Sequence, residues 1–308
     1  MVRVSFPDAD WLADVGAVEG VEPLVWNPRD EPPAEPVDVV VAPYLGAAAK
    51  LAAVAGVPGV RLVQLLTAGY DGVFDAVPEH IAVANAAGLH DASTAELALA
   101  LILASQRGIP GFVRAQDKGE WSRPGFLPSL ADRRVLLIGY GSVGRAIVQR
   151  LLPFETRVTA VASRPRPGDD LIATVHGIDE LPRLLPDAEI VVLVVPLVDS
   201  TRHLVDDAFL AALPDDALVV NVARGPVVDT EAVLRHTGRI RFAADVTDPE
   251  PLPDGHPLWS APEVLISPHI GGMSSAMRPR AIALLRHQLG RLGRGEPPEH
   301  LVRAGEYS

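Results

Sequence analysis

Short apolar runs alternate with segments of helical periodicity along most of the chain. Toward the N-terminus, the runs predict strands over Val2–Phe6, Val39–Ala42 and Arg61–Leu66. Alternation of such strands with helical segments is typical of proteins with parallel sheets. The pattern therefore predicts an α/β fold.

The pattern then changes to a long apolar helix over Thr94–Arg107, with Asp91 or Ser93 as its predicted N-cap. A connection rich in Gly, Pro and Trp follows, over 108–128. A second series of short apolar strands comes next: Arg134–Gly139, Val158–Ala162, Ile190–Val195, Ala217–Val222, Phe242–Asp245 and Val264–Ser267. Six strands separated by helices predict a doubly wound sheet of the dinucleotide-binding kind.

The length of 308 residues fits two domains. We predict that residues 1–90 plus 276–308 form the substrate domain, to which the helix Met277–Leu292 returns, and that residues 91–275 form the dinucleotide-binding domain. The predicted fold class is α/β, with two Rossmann-like or flavodoxin-like domains, doubly wound parallel sheets and an interdomain cleft.

Composition narrows the possible functions. Hydrophobic residues make up 48% of the chain and charged residues 21%, as in a compact globular protein. A net charge of −12 argues against a nucleic-acid partner. Cysteine is absent, and His203, His236 and His287 are too scattered to suggest a metal site. No signal peptide is recognisable, and the apolar runs are too short to cross a bilayer, so we expect a cytoplasmic protein with no membrane partner.

A glycine motif follows the strand that ends at Ile138 and opens a predicted helix over Arg145–Leu152. The motif G-x-G-x-x-G consists of Gly139, Tyr140, Gly141, Ser142, Val143 and Gly144. Its glycines suit a tight turn, close approach to a pyrophosphate, and helix–strand packing, while the helix N-terminus presents N–H groups to phosphates. We predict that these residues bind a dinucleotide; the alternative is an ordinary βα turn.

The end of the next strand bears on which dinucleotide is bound. NAD-binding versions place an acidic residue there to bind the ribose hydroxyls, whereas this chain has Ala162 followed by Ser163, Arg164 and Arg166. A hydroxyl and two guanidinium groups suit a 2′-phosphate. We therefore predict NADP as the preferred cofactor over NAD; the alternative is that both Arg side chains are solvated loop charges.

Three later segments carry a further pattern: Asn221–Asp229, Asp245–Leu252 continuing through His256–Trp259, and Ser267–Gly272. Together they resemble the D-isomer-specific 2-hydroxyacid dehydrogenase family. Further matches, spread from about residue 62 onward, are Thr67–Asp71, Asn85, Gly88, Thr94–Glu96, and Pro196-Leu197 with Thr201, which matches the turn after the third cofactor strand.

The resemblance assigns catalytic roles to Arg224, Glu250 and His269. His269 would supply the proton that reduction of a keto group requires, because imidazole titrates near neutral pH. Glu250 would orient the ring, and Arg224 would bind the substrate carboxylate. The resemblance also implies substrate contacts by the N–H groups of Ala68 and Gly69, and cofactor contacts by Pro196, Thr201, Val222, Ala223 and Asp245. A helix cap is the alternative role for Asp245.

The resemblance implies hydride transfer between NAD(P)H and a small 2-keto or 2-hydroxy acid. Ser163–Arg166 resembles the corresponding segment of NADP-linked glyoxylate/hydroxypyruvate reductases, while branched or aromatic keto acids stay open. Formate or phosphite oxidation is less favoured, and a short C-terminal tail disfavours a phosphoglycerate dehydrogenase. A homodimer formed through the cofactor domain, including the long helix, is implied. An NAD(P)H-sensing binding protein or corepressor on the same scaffold is the alternative.

Overall fold

The computed structural model describes residues 1–44 and 46–307. Its strands are β1 (Val2–Phe6), β2 (Val21–Val25), β3 (Val39–Val41), β4 (Leu62–Gln64), β5 (Ala82–Ala84), β6 (Arg134–Ile138), β7 (Arg157–Ala162), β8 (Arg166–Pro167), β9 (Thr174–Gly177), β10 (Ile190–Leu193), β11 (Leu218–Asn221), β12 (Arg241–Ala244), β13 (Val264–Ile266) and β14 (Leu301–Arg303).

The α-helices are α1 (Ala9–Val15), α2 (Ala47–Lys50), α3 (Val73–Ala76), α4 (Asp91–Gln106), α5 (Ile109–Asp117), α6 (Ser142–Leu151), α7 (Leu181–Leu184), α8 (Asp207–Ala212), α9 (Thr230–His236) and α10 (Met277–Gly293). Single 3-10 turns cover Leu51–Gly56, Leu152–Phe154, Ile178–Glu180, Leu185–Asp187, Gly225–Val227, Pro257–Trp259 and Gly305–Tyr307.

The chain forms two compact units: Met1–His90 with Ser275–Ser308 is unit 1, and Asp91–Ser274 is unit 2. Unit 1 contains a sheet in the order β14-β5-β4-β3-β1-β2. Its strands are parallel except β14, which pairs antiparallel with β5. The parallel part has the flavodoxin-like strand order.

Unit 2 contains a sheet in the order β13-β12-β11-β10-β6-β7-β9-β8. Seven of these strands are parallel, and β8 adds an antiparallel edge. The strand order reverses between β6 and β10, which is the switch point where sheets of this kind bind ligands. The predicted α/β class with two doubly wound sheets is confirmed.

Both faces of each sheet are buried, which explains why the strands are continuously apolar. In β11, Leu218 and Val220 pack on one face while Val219 packs on the other. In β3, Val39 and Val41 face one core and Val40 the other. Apolar side chains at successive positions therefore indicate a sheet covered by helices on both sides.

Five strands were missing from the prediction: β2, β5, β8, β9 and β14. The two-residue β8 and the three-residue β14 are very short, and the other three lack a strongly apolar run. β2 contains Glu22 and Pro23 at a sheet edge, β5 is formed by Ala82, Val83 and Ala84, and β9 carries Thr174 and His176. β9 is the third parallel strand along unit 2, which therefore has seven parallel strands where six were predicted.

The prediction for the start of the long helix was wrong. α4 begins at Asp91, so neither Asp91 nor Ser93 is its N-cap. Ser93 is buried in the first turn, and its hydroxyl shares a 2.5 Å hydrogen bond with Ser274. The Asp91 carboxylate accepts a 3.1 Å hydrogen bond from Ser142 at the start of α6. Asp91 therefore ties α4 to the first residue of α6, and Ser93 ties it to the loop that ends unit 2.

Within the described part of the chain, no single helix is long and apolar enough to cross a membrane. Together, α4 and α5 are long and apolar enough, but the two helices are bent by 68° relative to each other.

Candidate active site

The three predicted catalytic residues lie in loops that follow neighbouring strands of unit 2. Arg224 follows β11, Glu250 follows β12 and His269 follows β13. Because these strands are parallel neighbours, their carboxyl ends lie at one edge of the sheet. The fold therefore brings the three loops together.

His269 and Glu250 are in direct contact. Nδ1 of His269 lies 2.5 Å from Oε1 of Glu250, and both side chains are partly exposed, at 49% and 41%. With Nδ1 taken by the carboxylate, Nε2 is the ring nitrogen left to face a reacting molecule. The arrangement can hold a proton on the ring and compensate its positive charge.

The backbone of His269 has a φ of 54°, in the left-handed region that few residues other than glycine adopt. Its N–H donates a 2.7 Å hydrogen bond to the carbonyl of Asp245. The carboxylate of Asp245, which is buried, accepts hydrogen bonds of 2.7–2.8 Å from the Ser267 hydroxyl and the N–H groups of Ile270 and Gly271. Asp245 thus holds the loop carrying His269 and does not cap a helix.

The loop of Arg224 packs against the segment that leads to Glu250. A Cβ on Gly225 would lie 1.8 Å from the carbonyl oxygen of Thr247, so only glycine permits this approach. The Asn221 side chain donates to the carbonyl of Arg224 and accepts from the N–H of Ala223. The guanidinium of Arg224 donates a 2.7 Å bond to the carbonyl of Ala223. These contacts fix the position of the Arg224 backbone and therefore of its Cα, from which the side chain extends.

The glycine motif forms the turn predicted for it. Gly139 has a φ of 109°, and a Cβ there would lie 2.6 Å from the carbonyl oxygen of Val194. A Cβ on Gly144 would lie 2.1 Å from the carbonyl oxygen of Gly139, whereas a Cβ on Gly141 would meet no described atom within 4 Å. Backbone atoms therefore crowd the turn at Gly139 and Gly144, while the space at Gly141 is open. The helix α6 begins at the next residue, Ser142. This cradle fits a pyrophosphate at a helix N-terminus.

The segment after β7 is exposed and basic. β7 ends at Ala162, and Ser163, Arg164 and Arg166 all lie on the surface. Arg166 donates a 2.6 Å hydrogen bond to the carbonyl of Tyr140 in the glycine turn. No acidic side chain stands at the end of β7, which suits a 2′-phosphate better than free ribose hydroxyls.

The other predicted cofactor residues also follow strand ends of unit 2. Pro196 and Thr201 form a turn after β10, in which the Thr201 hydroxyl donates to the carbonyl of Pro196 at 2.7 Å. The prediction placed this turn after the third cofactor strand; with β9 present, it follows the fourth. Val222 and Ala223 follow β11.

Ala68 and Gly69 belong to unit 1, in the loop after β4. The carbonyl of Ala68 accepts a 2.8 Å hydrogen bond from the Asn85 side chain, and that of Gly69 accepts a 2.7 Å bond from the Thr67 hydroxyl. Both carbonyls are thus engaged inside unit 1, while both residues stay half-buried.

Sequence reasoning missed two supporting groups. One is the pair of backbone hydrogen bonds by which the Asp245 carboxylate holds the His269 loop. The other is Asp169, which bonds to Tyr140 of the glycine turn. A buried strand that ends in a carboxylate could have indicated the first; nothing in the spacing of Tyr140 and Asp169 indicates the second.

Fold and site together define a class: an α/β protein with a dinucleotide cradle and an imidazole–carboxylate pair at the same edge of one sheet. The sequence profile described as "D-isomer specific 2-hydroxyacid dehydrogenase, NAD binding domain" matches residues 99–271. The chain therefore belongs to the D-isomer-specific 2-hydroxyacid dehydrogenase family.

Individual relatives agree with this assignment. A glyoxylate reductase of Thermofilum pendens is 32% identical over 255 residues, which cover 80% of this chain and 75% of the relative. A D-3-phosphoglycerate dehydrogenase of Methanocaldococcus jannaschii is 31% identical, over 74% of this chain and 44% of the relative. Among solved structures, a D-isomer specific 2-hydroxyacid dehydrogenase of Xanthobacter autotrophicus Py2, in complex with NADPH and MES, is 30% identical with a TM-score of 0.79, covering 98% of this chain and 97% of that one.

The chain is accordingly an NAD(P)-dependent enzyme that transfers hydride between a nicotinamide and a 2-hydroxy or 2-keto acid.

Proposed function

We propose that this enzyme reduces a small 2-keto acid of the glyoxylate or hydroxypyruvate type, with NADPH as the preferred cofactor and His269, Glu250 and Arg224 as the catalytic residues. The observation that carries the proposal is the contact between Nδ1 of His269 and Oε1 of Glu250 at the end of β13.

His269 acts as the general acid. The bound nicotinamide supplies the hydride that reaches the keto carbon, and Nε2 of His269 gives the proton that the new hydroxyl oxygen requires. Glu250 holds Nδ1, so the ring keeps Nε2 directed away from the carboxylate and its positive charge stays compensated. In the reverse direction, Nε2 takes the hydroxyl proton.

Arg224 binds the anionic end of the substrate. Its guanidinium offers several donors in one plane, which suits a carboxylate and the neighbouring carbonyl oxygen. Arg224 follows β11 and His269 follows β13, so their loops lie at the same edge of the sheet. Ala68 and Gly69 stay predicted ligands of the substrate carboxylate through their backbone N–H groups.

The substrate type is supported by relatives rather than by a pocket. Relatives named glyoxylate reductase, from Thermofilum pendens and from Thermococcus gammatolerans, are each 32% identical to this chain. A two- or three-carbon keto acid offers a carboxylate for Arg224 and a carbonyl for His269, and little more to recognise.

The preference for NADPH is supported by Ser163, Arg164 and Arg166 after β7, and by the absence of an acidic residue at Ala162. The Xanthobacter relative binds NADPH. Charge-assisted bonds from Arg to phosphate are about twice as strong as neutral ones, so an exposed site still gains discrimination from them.

A homodimer formed by unit 2 is proposed as the working assembly. The segment that follows α4 exposes large apolar side chains: Ile109 and Val113 on α5, then Trp121 at 89% exposure and a fully exposed Phe126. Exposed apolar clusters of this kind mark contact surfaces. Location in the cytoplasm stays a prediction of the sequence analysis.

A turnover panel tests the proposal directly. Glyoxylate, hydroxypyruvate, a branched and an aromatic 2-keto acid are each supplied with NADPH and with NADH, and cofactor oxidation is followed by absorbance. We expect the highest kcat/KM for the two small acids with NADPH. Cofactor binding without turnover of any keto acid would favour the nucleotide-sensing alternative.

A further inference from the structure

One residue of the glycine turn bonds to two points of the segment that follows β7. The carbonyl oxygen of Tyr140 accepts the 2.6 Å bond from Nη2 of Arg166, and the Tyr140 hydroxyl donates a 2.8 Å bond to Oδ1 of Asp169. Arg166 lies on β8, and Asp169 lies in the turn that follows it. Both belong to hairpin 166–175, in which β8 pairs with the first two residues of β9. Tyr140 thus links this hairpin to the cofactor cradle.

We propose that Tyr140 is a positioning residue for cofactor specificity: its two bonds hold hairpin 166–175 against the glycine turn, so that Ser163, Arg164 and Arg166 are placed to bind a 2′-phosphate. This inference rests on the NADPH preference proposed above. The pyrophosphate cradle serves NAD and NADP alike. The inference gives one of its residues, Tyr140, a role in the choice between the two cofactors.

The ring of Tyr140 is anchored well enough for this role. Its side chain belongs to the core cluster that contains Ile147 of α6 and Ile172 and Val175 of the hairpin. Only 8% of the residue is exposed. The hydroxyl is the polar end of a buried ring, and a buried hydroxyl keeps its partner because losing it leaves a polar group unsatisfied.

The Asp169 carboxylate, which accepts the hydrogen bond from the Tyr140 hydroxyl, accepts further hydrogen bonds at both of its oxygens. Oδ1 also accepts from the N–H groups of Leu171 and Ile172, and Oδ2 accepts from Nε of Arg145 at 3.0 Å. Arg145 pairs with Asp170 as well, at 2.5 Å. Arg145 therefore compensates part of the negative charge of the two acidic side chains.

The basic side chains of the segment stay available to a ligand. Among the described residues, neither Arg164 nor Arg166 forms an ion pair with a carboxylate, and both are exposed. Their positive charge is therefore directed to solvent or to a bound anion. Electrostatic discrimination between two cofactors then depends on where these charges lie, which is what the Tyr140 bonds set.

The two sides of the hairpin are attached differently: β9 is paired with β7 inside the sheet, whereas β8 is the outer strand. Arg166 pairs with Val175 and Pro167 with Thr174. A Cβ on Gly168 would lie 1.5 Å from the carbonyl oxygen of Ile172, so the turn is closely packed. The bonds of Tyr140, together with that of Arg145 to Asp169, therefore hold the outer side of the hairpin, which carries Arg166, near the cradle.

The test uses Tyr140→Phe, which keeps the ring and removes the bond to Asp169. Affinities of the purified enzyme for 2′,5′-ADP and for 5′-ADP are measured by calorimetry, so that no readout depends on turnover. We expect affinity for 2′,5′-ADP to fall about three- to tenfold, as for a lost hydrogen bond to a charged group in a partly exposed site. Affinity for 5′-ADP should stay within about twofold.

Two further variants separate positioning from general loss of structure. Asp169→Asn should weaken 2′,5′-ADP similarly, and adding Tyr140→Phe to it should have little further effect, because both changes break the same link. Tyr307→Phe removes a phenol hydroxyl in unit 1 and should change neither affinity. Melting temperatures of all variants are compared so that a misfolded protein is recognised.

Equal loss of both nucleotides in Tyr140→Phe, or no loss of either, would overturn the inference, as would additive effects in the double variant. A wild type that binds the two nucleotides equally would overturn it too, while leaving the dehydrogenase assignment in place. Absence of keto-acid turnover would instead count against the proposed function and leave these binding results as they stand.

Discussion

At the scale of single residues, the candidate site depends on contacts between loops far apart in the chain. The family resemblance of three segments, each following a predicted strand, allowed Arg224, Glu250 and His269 to be predicted as one group. The sequence could not show that the His269 backbone adopts a φ of 54°, nor that the buried carboxylate of Asp245 holds this loop. Such contacts depend on the side chain of one loop meeting the backbone of another, and no spacing rule encodes that.

The first prediction concerns the acid–base pair. His269→Ala should lower kcat by about 10²–10⁴-fold, the usual contribution of a general acid, while affinity for NADPH measured by fluorescence stays unchanged. Glu250→Gln should lower kcat less than His269→Ala does, since the imidazole stays in place but loses the carboxylate that holds Nδ1.

His287→Ala is a matched control, because His287 also contacts a carboxylate, that of Glu299, but lies on α10 of unit 1. Its kcat should match the wild type. Wild-type turnover by a folded His269→Ala protein would remove His269 from the mechanism.

A second prediction follows from the ionisation of Tyr140 and Asp169. Burial, with the hydrogen bond to Asp169, raises the pKa of Tyr140 to about 12 from 10.0. Bonds from the Leu171 N–H, Tyr140, the Ile172 N–H and Arg145 lower the pKa of Asp169 to about 2 from 3.8. The Asp169 contribution to stability is present above pH 3.8 and is lost as pH falls through about 2; the Tyr140 contribution is present below pH 10.0 and is lost as pH rises through about 12.

Melting temperature measured against pH checks these signs. Asp169→Asn should melt at a lower temperature near neutral pH, but should lose less of its remaining stability than the wild type between about pH 4 and pH 2. An ultraviolet titration should show a late-ionising tyrosine that is missing in Tyr140→Phe. Parallel acid profiles for wild type and Asp169→Asn would contradict the prediction.

At the scale of secondary structure elements, strongly apolar strands could be predicted and weakly apolar ones could not. The bounds of β1 and α10 came out within a residue of the prediction, because each has a clear period and a clear end. β9 was missed because Thr174 and His176 interrupt its apolar character, although it is held between β7 and β8. Pairing with neighbours decides such strands, and pairing is not visible in a single segment.

A third prediction concerns the segment after β7. Wild-type enzyme should have a higher kcat/KM with NADPH than with NADH. Ala162→Asp combined with Arg164→Ala should reverse the preference, because a carboxylate repels the 2′-phosphate while a favourable charge is removed. Loss of one Arg–phosphate contact costs about 1.5–3 kcal/mol, which corresponds to about one to two decades in kcat/KM.

Arg183→Ala is the control for this pair of changes, since Arg183 is an exposed arginine of α7 that pairs with Glu180. It should leave the ratio of kcat/KM for the two cofactors unchanged. A wild type that prefers NADH would refute the role given to Ser163, Arg164 and Arg166, though not the family assignment.

At the scale of the whole molecule, unit 1 and unit 2 each have their own sheet and their own cores, so the parts of the function can be tested separately. The cradle and the three proposed catalytic side chains belong to unit 2, and the predicted carboxylate loop belongs to unit 1. The exposed segment after α5 belongs to unit 2, and this is where we expect a second copy to bind.

A fourth prediction tests that expectation. Wild-type protein should sediment as a dimer, and Trp121→Ser combined with Phe126→Ser should shift the population to monomer, because both side chains are almost fully exposed within one chain. Val25→Ser, which alters an exposed apolar residue of β2 in unit 1, should leave the sedimentation coefficient unchanged. A monomeric wild type would refute the proposed dimer.

The antiparallel strand β14 has a consequence for biosynthesis. Unit 2 is one uninterrupted stretch, Asp91–Ser274, so the ribosome has made all of it before α10 and β14 exist. Unit 1 cannot be completed until then, because β5 lacks its partner β14 and the core lacks the side chains of Ala281, Leu285 and Leu289. Since domains fold as units while the chain emerges, we expect a fragment 91–274 to melt cooperatively in circular dichroism, whereas a fragment 1–90 should not fold until 275–308 is added to it.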